Sequence, residues 1–302
     1  MNVAIIDLGT NTFNLLICNI QPNSYTILYS GKSAPKMGKG GIQLGIITPD
    51  AFERSIEAFR ELLIKINEHN CSNIYAIGTS ALRNAKNATI FTNKIQELFN
   101  INIEIISGLQ EAEYIFWGNS LAYNWGKSTA LIIDIGGGSN ECIICSNSKI
   151  LWKHSFENGM QRIISHFSPS YPFTKKNKDE INSFLNDSVD LLISKCKEYS
   201  IDILIGSSGP FDTYRDILDI ELKDIKPYFE ISHEQLNSLY NTLINSTLEE
   251  ISNIPQMDAA RIEMLPIASI IINYIITKIQ IPRIIQSSYS LKEGVLYTLL
   301  NK

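Results

Sequence analysis

Histidine is scarce in this sequence, and metal-ligand spacing is missing. The four histidines of the 302-residue chain, His69, His154, His166 and His233, follow no ligand pattern and have no serine elbow near them. This argues against a zinc centre and against a serine–histidine hydrolase. Cysteine is also unpromising: five residues, an odd number, do not make a disulfide framework. Cys142 and Cys145 form a C-x-x-C, but on a predicted strand residues three apart point to opposite faces, which argues against redox or zinc chemistry. The longest apolar run, 265–276, is interrupted by Asn273 and falls short of the ~20 residues of a membrane span. Met1 and Asn2 lead straight into a predicted strand rather than a leader, so the expectation is a soluble, cytoplasmic protein away from membranes. An excess of basic residues is lacking too. Lys and Arg number 26 against 31 Asp and Glu, for a net charge of −5. That turns the reading away from nucleic acid, and a polyanionic substrate would need a local basic patch. Proline-rich, low-complexity and array-type repeats are missing as well.

What is present is organised around residues 131–141, Leu-Ile-Ile-Asp-Ile-Gly-Gly-Gly-Ser-Asn-Glu. An apolar run ends in Asp134, the turn Gly136-Gly137-Gly138-Ser139 follows, and the apolar pattern resumes at Cys142, as in two strands joined by a tight turn. Glycines permit φ > 0 and close approach of a ligand, and their N–H groups can cradle phosphate oxygens. Asp134, at the strand end, is placed to hold Mg²⁺ or its water. On this stretch alone, an ordinary hairpin is an equal alternative. A second copy shifts the balance. The N-terminal stretch Ile6-Asp7-Leu8-Gly9-Thr10-Asn11-Thr12 superimposes at a shift of 127 residues (134 − 7), with Gly9 on Gly136, Thr12 on Ser139 and Cys18 on Cys145. An internal repeat of this kind has to be settled before other fold decisions. Two phosphate-type turns on two similar units imply a ligand held between them. The length suits two domains, and an apolar fraction of 44% with 19% charge lets each half bury a core.

Along the chain, strands are predicted at 3–8, 13–20 and 25–32. The segment 31–41, rich in glycine and lysine, reads either as a mobile collector of anions or as a solvated connector. Pro49 opens a helix whose buried face is Phe52, Ile56, Phe59, Leu63 and Ile66. A strand at 72–78 precedes a helix running to about 99. Arg83 lies just beyond that strand end, where open α/β sheets bind ligands. A guanidinium there suits phosphate oxygens, with a surface ion pair as the alternative. After a strand at 103–106, Ser107 and Gln110 make a capping box. Glu111 then sits in the first helical turn, kept ionised by the helix dipole. It is either a general base for water or simply an acid where helices favour acids. In the second half, strands are predicted at 129–134, 141–145 and 149–154, and helices at 159–167 and 179–199. A further strand at 203–205 ends in the glycine turn 206–210. Mostly helical segments follow, then a strand at 283–286 and a last helix from 291. The domain junction is placed at 123–127.

Five motifs, in order, resemble those of the exopolyphosphatase / guanosine pentaphosphate phosphohydrolase (Ppx/GppA) family: residues 6–12; Thr79-Ser80-Ala81-Leu82-Arg83-Asn84-Ala85; Ile106-Ser107-Gly108-Leu109-Gln110-Glu111-Ala112; residues 134–141; and Ser288-Tyr289-Ser290-Leu291-Lys292-Glu293-Gly294. The resemblance implies an α/β fold of two ribonuclease-H-like domains of the actin, sugar-kinase and acetate-kinase type with a cleft between them. The domains would be 1–124 and 125–302, with the final helix, 290–302, packing on the first. It implies Mg²⁺, or another divalent cation, and removal of a terminal phosphate from inorganic polyphosphate or guanosine pentaphosphate. Glu111 is then the catalytic base, against the blander reading from spacing. The phosphate-binding set is Gly9, Thr10, Asn11, Thr12, Arg83, Gly136, Gly137, Gly138, Ser139 and Ser208. Asp134 and Glu141 would position the metal, with Asp7 on the opposite wall. A homodimer is a further expectation. The sequence departs from the family pattern at Gln110, where glutamate is common, at Asn140 in place of threonine, and at Lys292 in place of arginine. A chain ending at Lys302 reads as a short form, expected to be without the C-terminal helical domain of longer members. Rival readings are a small-molecule kinase of the same superfamily and a non-catalytic sensor of polyphosphate or an alarmone.

Overall fold

The repeated strand–turn–strand unit seeds two sheets in the computed structural model, which describes residues 1–22, 24–207, 209–218 and 226–301. In the first half, β1 (Asn2–Leu8), β2 (Phe13–Gln21) and β3 (Ser24–Ser33) form an antiparallel meander. The chain then passes through α1 (Pro49–Glu68), β4 (Asn73–Gly78), α2 (Ser80–Asn84), α3 (Ala88–Phe99), β5 (Ile103–Ile105) and α4 (Gly108–Ala122). The sheet order is β3-β2-β1-β4-β5, with β4 and β5 parallel to β1. The second half repeats the plan with β6 (Ala130–Ile135), β7 (Asn140–Ser146) and β8 (Lys149–Phe156). Three helices follow: α5 (Met160–Phe167), α6 (Lys175–Ser188) and α7 (Asp190–Tyr199). They lead to β9 (Ile203–Ser207), α8 (Pro210–Leu218), β10 (Tyr228–Ile231), α9 (His233–Asn245), α10 (Leu248–Ser252) and α11 (Leu265–Ile279). The chain closes with β11 (Arg283–Ser287) and α12 (Leu291–Leu300). This sheet runs β10-β11-β9-β6-β7-β8.

The duplication extends to register. Asp7 faces Asn14 across the first hairpin and Asp134 faces Glu141 across the second. The strand pairing slips after Ile17 in one half and after Ile144 in the other, the same shift along the chain. The central strands are apolar on both faces because both faces are covered. Ile6 and Leu8 point to an outer core with Phe59 and Phe91 of α1 and α3. Leu131 and Ile133 point to the other outer core, under α5–α11. Between the sheets lies a third apolar layer, in which Ile5 and Leu16 meet Ile132 and Ile143 through Ile115 and Phe116 of α4 and Leu296 of α12. Lying between the sheets, α4 buries Ala112, Ile115, Phe116, Gly118, Asn119 and Ala122 on one face and leaves Leu109, Gln110 and Glu113 exposed. It crosses α12 at glycines: a Cβ on Gly118 would overlap the Ser290 carbonyl, and one on Gly294 the Tyr114 backbone.

Three elements differ from the sequence reading. The helix expected to run to 99 breaks at Ala85, because the Asn87 side chain leaves the helix to pair with both backbone groups of Ile47. The long helix expected at 179–199 starts earlier, at Lys175 under a Thr174–Asn177 capping box, and breaks at the buried Val189. The short strand β10 was not anticipated; it is an antiparallel edge on β11. Among the described residues no helix is long and apolar enough to cross a membrane. The apolar run noted above is α11, a core helix.

Candidate functional site

The two turns face one another. Each closes with the same backbone hydrogen bond, Gly9 N to Thr12 O at 3.1 Å and Gly136 N to Ser139 O at 2.9 Å. None of Gly9, Gly136, Gly137 or Gly138 uses the left-handed φ that glycine permits. Space is the constraint instead. A Cβ on Gly136 would lie 2.7 Å from the Ser139 carbonyl, one on Gly137 would overlap the Asn11 amide, and one on Gly138 would lie 2.6 Å from Thr10 Oγ1. The side chains of one turn thus fit into the glycine face of the other. The segment 31–41 is not a mobile tether. Lys36 N and Gly38 N donate to Asn11 O and Thr10 O at 3.0 and 2.8 Å, which pins it to the first turn.

Between the turns is a cavity of about 120 Å³ whose wall includes Asp7, Thr12, Glu111, Asp134, Ser139 and Glu141. Gly9, Thr10, Asn11 and Gly136 to Gly138 also line it. A more open hollow of about 400 Å³ adjoins it, sharing Asn14, Lys32, Asp212, Asp216 and Lys292 and adding Arg215. Ser208 lies outside the described residues.

Glu111 is brought to this cavity because α4 starts at the end of the first sheet yet packs on β7 and β8 of the second. The capping box is present, with Gln110 Oε1 accepting from Ser107 N at 3.0 Å, so the departure at Gln110 keeps its structural part. Glu111 is 8% exposed. Burial, and then Glu141, push its pKa well above the carboxylate range against the opposing pull of Arg83. Arg83 Nη1 donates to Glu111 Oε2 at 2.8 Å and to the Ile106 carbonyl at 3.2 Å, and Nη2 donates to Ser139 Oγ at 3.4 Å. Arg83 is therefore not on the cavity wall. It stands behind Glu111 and Ser139 and fixes both.

The other acids share this environment. Burial raises Asp7 to about 6, offset partly by the Asn14 amide that donates to it at 2.9 Å. Burial raises Asp134 to about 7, with the Ser290 hydroxyl donating to it and Asp7 adding repulsion. Glu141 reaches about 8, again by burial first, with Ser155 Oγ donating at 2.7 Å and Asp134 repelling. Among the described residues, no group of three or more His, Cys, Asp or Glu is placed to hold a metal ion by itself. A hydrated Mg²⁺ nevertheless fits the donor set. That ion is usually bound through one or two carboxylates plus waters and phosphate oxygens, and the acids here penalise one another's charge in a way a cation relieves. The buried Asn11 Oδ1 has no hydrogen-bond partner, and an orphaned acceptor suits a metal-bound water.

Sequence reasoning did not find two of the cations, Arg261 and Arg162, whereas Lys32 belongs to the segment read as a collector of anions. Lys32 and Arg261 line the cavity, and Lys32 pairs with Asp258. Arg261 is largely buried, its Nε unpaired, and burial lowers its pKa although Asp258, Asp212 and Asp134 oppose. It lies on an irregular stretch before α11, where no periodicity or turn signal marks it. Arg162, on α5, gives its Nε to the Gly138 carbonyl at 2.7 Å. Lys292 had been noted as a departure from arginine. It lines both hollows and pairs with Glu293 at 3.0 Å.

A profile of the Ppx/GppA phosphatase family matches residues 16–302. A putative exopolyphosphatase of Haemophilus influenzae is 25% identical over 297 residues, covering 98% of this chain and 91% of that protein. A guanosine-5'-triphosphate,3'-diphosphate pyrophosphatase of Vibrio parahaemolyticus is 23% identical over 300 residues, 99% of this chain but only 59% of that protein. The crystal structure of an exopolyphosphatase from Cytophaga hutchinsonii superimposes with a TM-score of 0.96 at 35% identity, covering 100% of this chain and 98% of that one. The Aquifex aeolicus family member shares the fold, with a TM-score of 0.79 at 23% identity over 100% and 98% of the two chains. With two ribonuclease-H-like halves of the actin type facing each other across an acid-lined cleft, the chain belongs to the Ppx/GppA phosphatase family.

Proposed function

We propose that the protein is a phosphoanhydride hydrolase that releases the terminal phosphate of inorganic polyphosphate, guanosine pentaphosphate or both. The observation that carries the reading is Glu111: a buried carboxylate on the wall between two phosphate-type turns, oriented by Arg83 at 2.8 Å. Names of relatives support it, since exopolyphosphatases and a guanosine pentaphosphate pyrophosphatase are among them. The two halves, divided near 124/125 with α12 returned to the first, form the walls.

The terminal phosphate sits between Gly9–Thr12 and Gly136–Ser139, and the rest of the substrate extends into the outer hollow past Lys32, Arg215 and Lys292. Glu111 aligns a water and takes its proton as the water oxygen bonds to phosphorus. The P–O bond to the next phosphate breaks, and its electron pair leaves on the shortened chain. Burial raises the pKa of Glu111 and so strengthens it as a base once ionised, while Arg83 opposes the shift and favours the ionised form. Asp134 and Glu141 would hold Mg²⁺ with Asp7 on the facing wall, and the ion would supply charge stabilisation for the phosphoryl oxygens. Arg261 and Lys292 add fixed positive charge where negative charge develops.

The test is phosphate release from short and long polyphosphates and guanosine pentaphosphate, with Mg²⁺ and purified full-length protein. Release from at least one is expected. Phosphate transfer from ATP to an acceptor without release from any of these would instead make the protein a kinase. Binding without turnover would make it a sensor.

A further inference from the structure

One carboxylate outside the cavity is surrounded by donors that its own element does not supply. Glu157 follows β8 in the second half. Its Oε2 accepts from Arg162 Nη2 at 2.6 Å, from Asn84 Nδ2 at 2.9 Å and from Ser80 Oγ at 3.4 Å. Its Oε1 lies 3.6 Å from Arg83 Nη2. Three of these donors come from α2 of the other half. The arginines are the fixed members, with side chains 17% and 18% exposed, whereas Glu157 is 45% exposed. Arg83 is tied to Glu111 and Ser139, and Arg162 to the Gly138 carbonyl. Two guanidiniums, an amide and a hydroxyl converging on one oxyanion make a site that a phosphate would fit equally well. A half-exposed carboxylate is the displaceable partner, because exposed ion pairs contribute little.

We propose that Ser80, Arg83, Asn84 and Arg162 form an orthophosphate subsite, held by the Glu157 carboxylate when no anion is present, through which released phosphate leaves. The proposal rests on the hydrolase reading for its direction. In an in-line displacement the attacking water and the leaving chain lie on opposite sides of the phosphoryl group. The outer hollow with Lys32 is one end of the cavity. Ser80, Gly138 and Ser139 line the cavity but not that hollow, and Arg83 donates to Ser139 and Glu111. Cleaved phosphate therefore starts beside this subsite, away from the departing chain.

Calorimetric titration of inorganic orthophosphate into the full chain in EDTA at fixed ionic strength reads the subsite without turnover. If Glu157 occupies the pair about nine-tenths of the time, Glu157→Gln tightens binding roughly tenfold. Arg162→Met weakens it by about tenfold or more, the value of a charge-assisted bond, and in Glu157→Gln/Arg162→Met the gain disappears. Should Arg162→Met fail to fold, Arg162→Lys, which keeps charge but not the fork, must still weaken binding. Product inhibition by orthophosphate is expected to follow the same order. Unchanged or weaker binding in Glu157→Gln, with a lowered Tm, would mean that Glu157 is only a strut between the halves. Orthophosphate affinity indifferent to both Arg162 variants would also overturn the proposal. A protein that binds orthophosphate in this way but releases none from polyphosphate would refute the hydrolase reading and leave the subsite standing.

Discussion

Ser290 donates its hydroxyl hydrogen bond to Asp134. The bond ties the two sheets together: Ser290 caps α12, which packs on α4 and the first sheet, and Asp134 lies at the end of a central strand of the second. The bond favours the charged form of an acid that burial pushes toward neutrality. Removing it with Ser290→Ala leaves Asp134 still harder to ionise, so more Mg²⁺ is needed for half-maximal phosphate release. Asp134→Asn, which removes the charge outright, raises the requirement further. A Mg²⁺ titration unchanged in Asp134→Asn would reduce that residue to a turn former.

Glu111→Gln keeps an oxygen that can accept from Arg83 Nη1 but cannot take a proton from water. Turnover is expected to fall by ~10²–10⁴-fold, the usual worth of a general base, while Tm and orthophosphate affinity stay close to those of the parent. Near-parental kcat in this variant would remove Glu111 from the mechanism.

Stability of the metal-free protein should decline as pH rises. Asp7, Asp134 and Glu141 have folded pKa values of about 6, 7 and 8, above their ordinary 3.8, 3.8 and 4.5. The folded state therefore holds these protons more tightly than the unfolded state. Their contribution is fully present below the ordinary values and is lost as pH climbs through the raised ones. Tm in EDTA is expected to fall from about pH 4.5 to about pH 8 on their account. Because cation binding competes with protons, added Mg²⁺ should raise Tm more at pH 8 than at pH 6. A Tm shift by Mg²⁺ that is equal at both pH values would show that these carboxylates do not bind it.

The duplicated turns were legible in the sequence because a strand buried on both faces leaves an unbroken apolar run, and the aspartate and glycines that end it stand out. Glu111 was visible as a capped helix start, but its meeting with Glu141 was not, since that depends on α4 crossing from one sheet to the other. Asn14 and Glu141 hold equivalent places opposite Asp7 and Asp134, yet only the acid had been singled out. Arg261, Arg162 and Glu157 lie outside the repeat, and the folded chain brings them to the cleft from irregular or helical segments with no local signature. The turn glycines show the same limit: φ preference is local, whereas the approach of the opposite turn is not.

The last glycine of the C-terminal motif gives a prediction in which the sign itself decides. Gly294 lies inside α12, where alanine would ordinarily stabilise a helix by about 1 kcal/mol. An open site would therefore gain stability in Gly294→Ala. Here the added Cβ meets the Tyr114 backbone of α4, and backbone in the middle of a buried helix cannot rotate away. Overpacking of this kind typically costs ~1–3 kcal/mol, enough to outweigh the propensity gain, so Tm should fall. Gly118→Ala, whose Cβ meets the Ser290 carbonyl from the other helix, should behave alike. The double variant should cost less than the two single losses combined, because one outward shift of α12 relieves both contacts. That shift also carries Ser290 and Lys292 away from Asp134 and Asp7, so the Mg²⁺ requirement should rise together with the loss of Tm. An unchanged or higher Tm in Gly294→Ala would show that the helices cross with room to spare, and the coupling of the last helix to the cleft would have to be sought elsewhere.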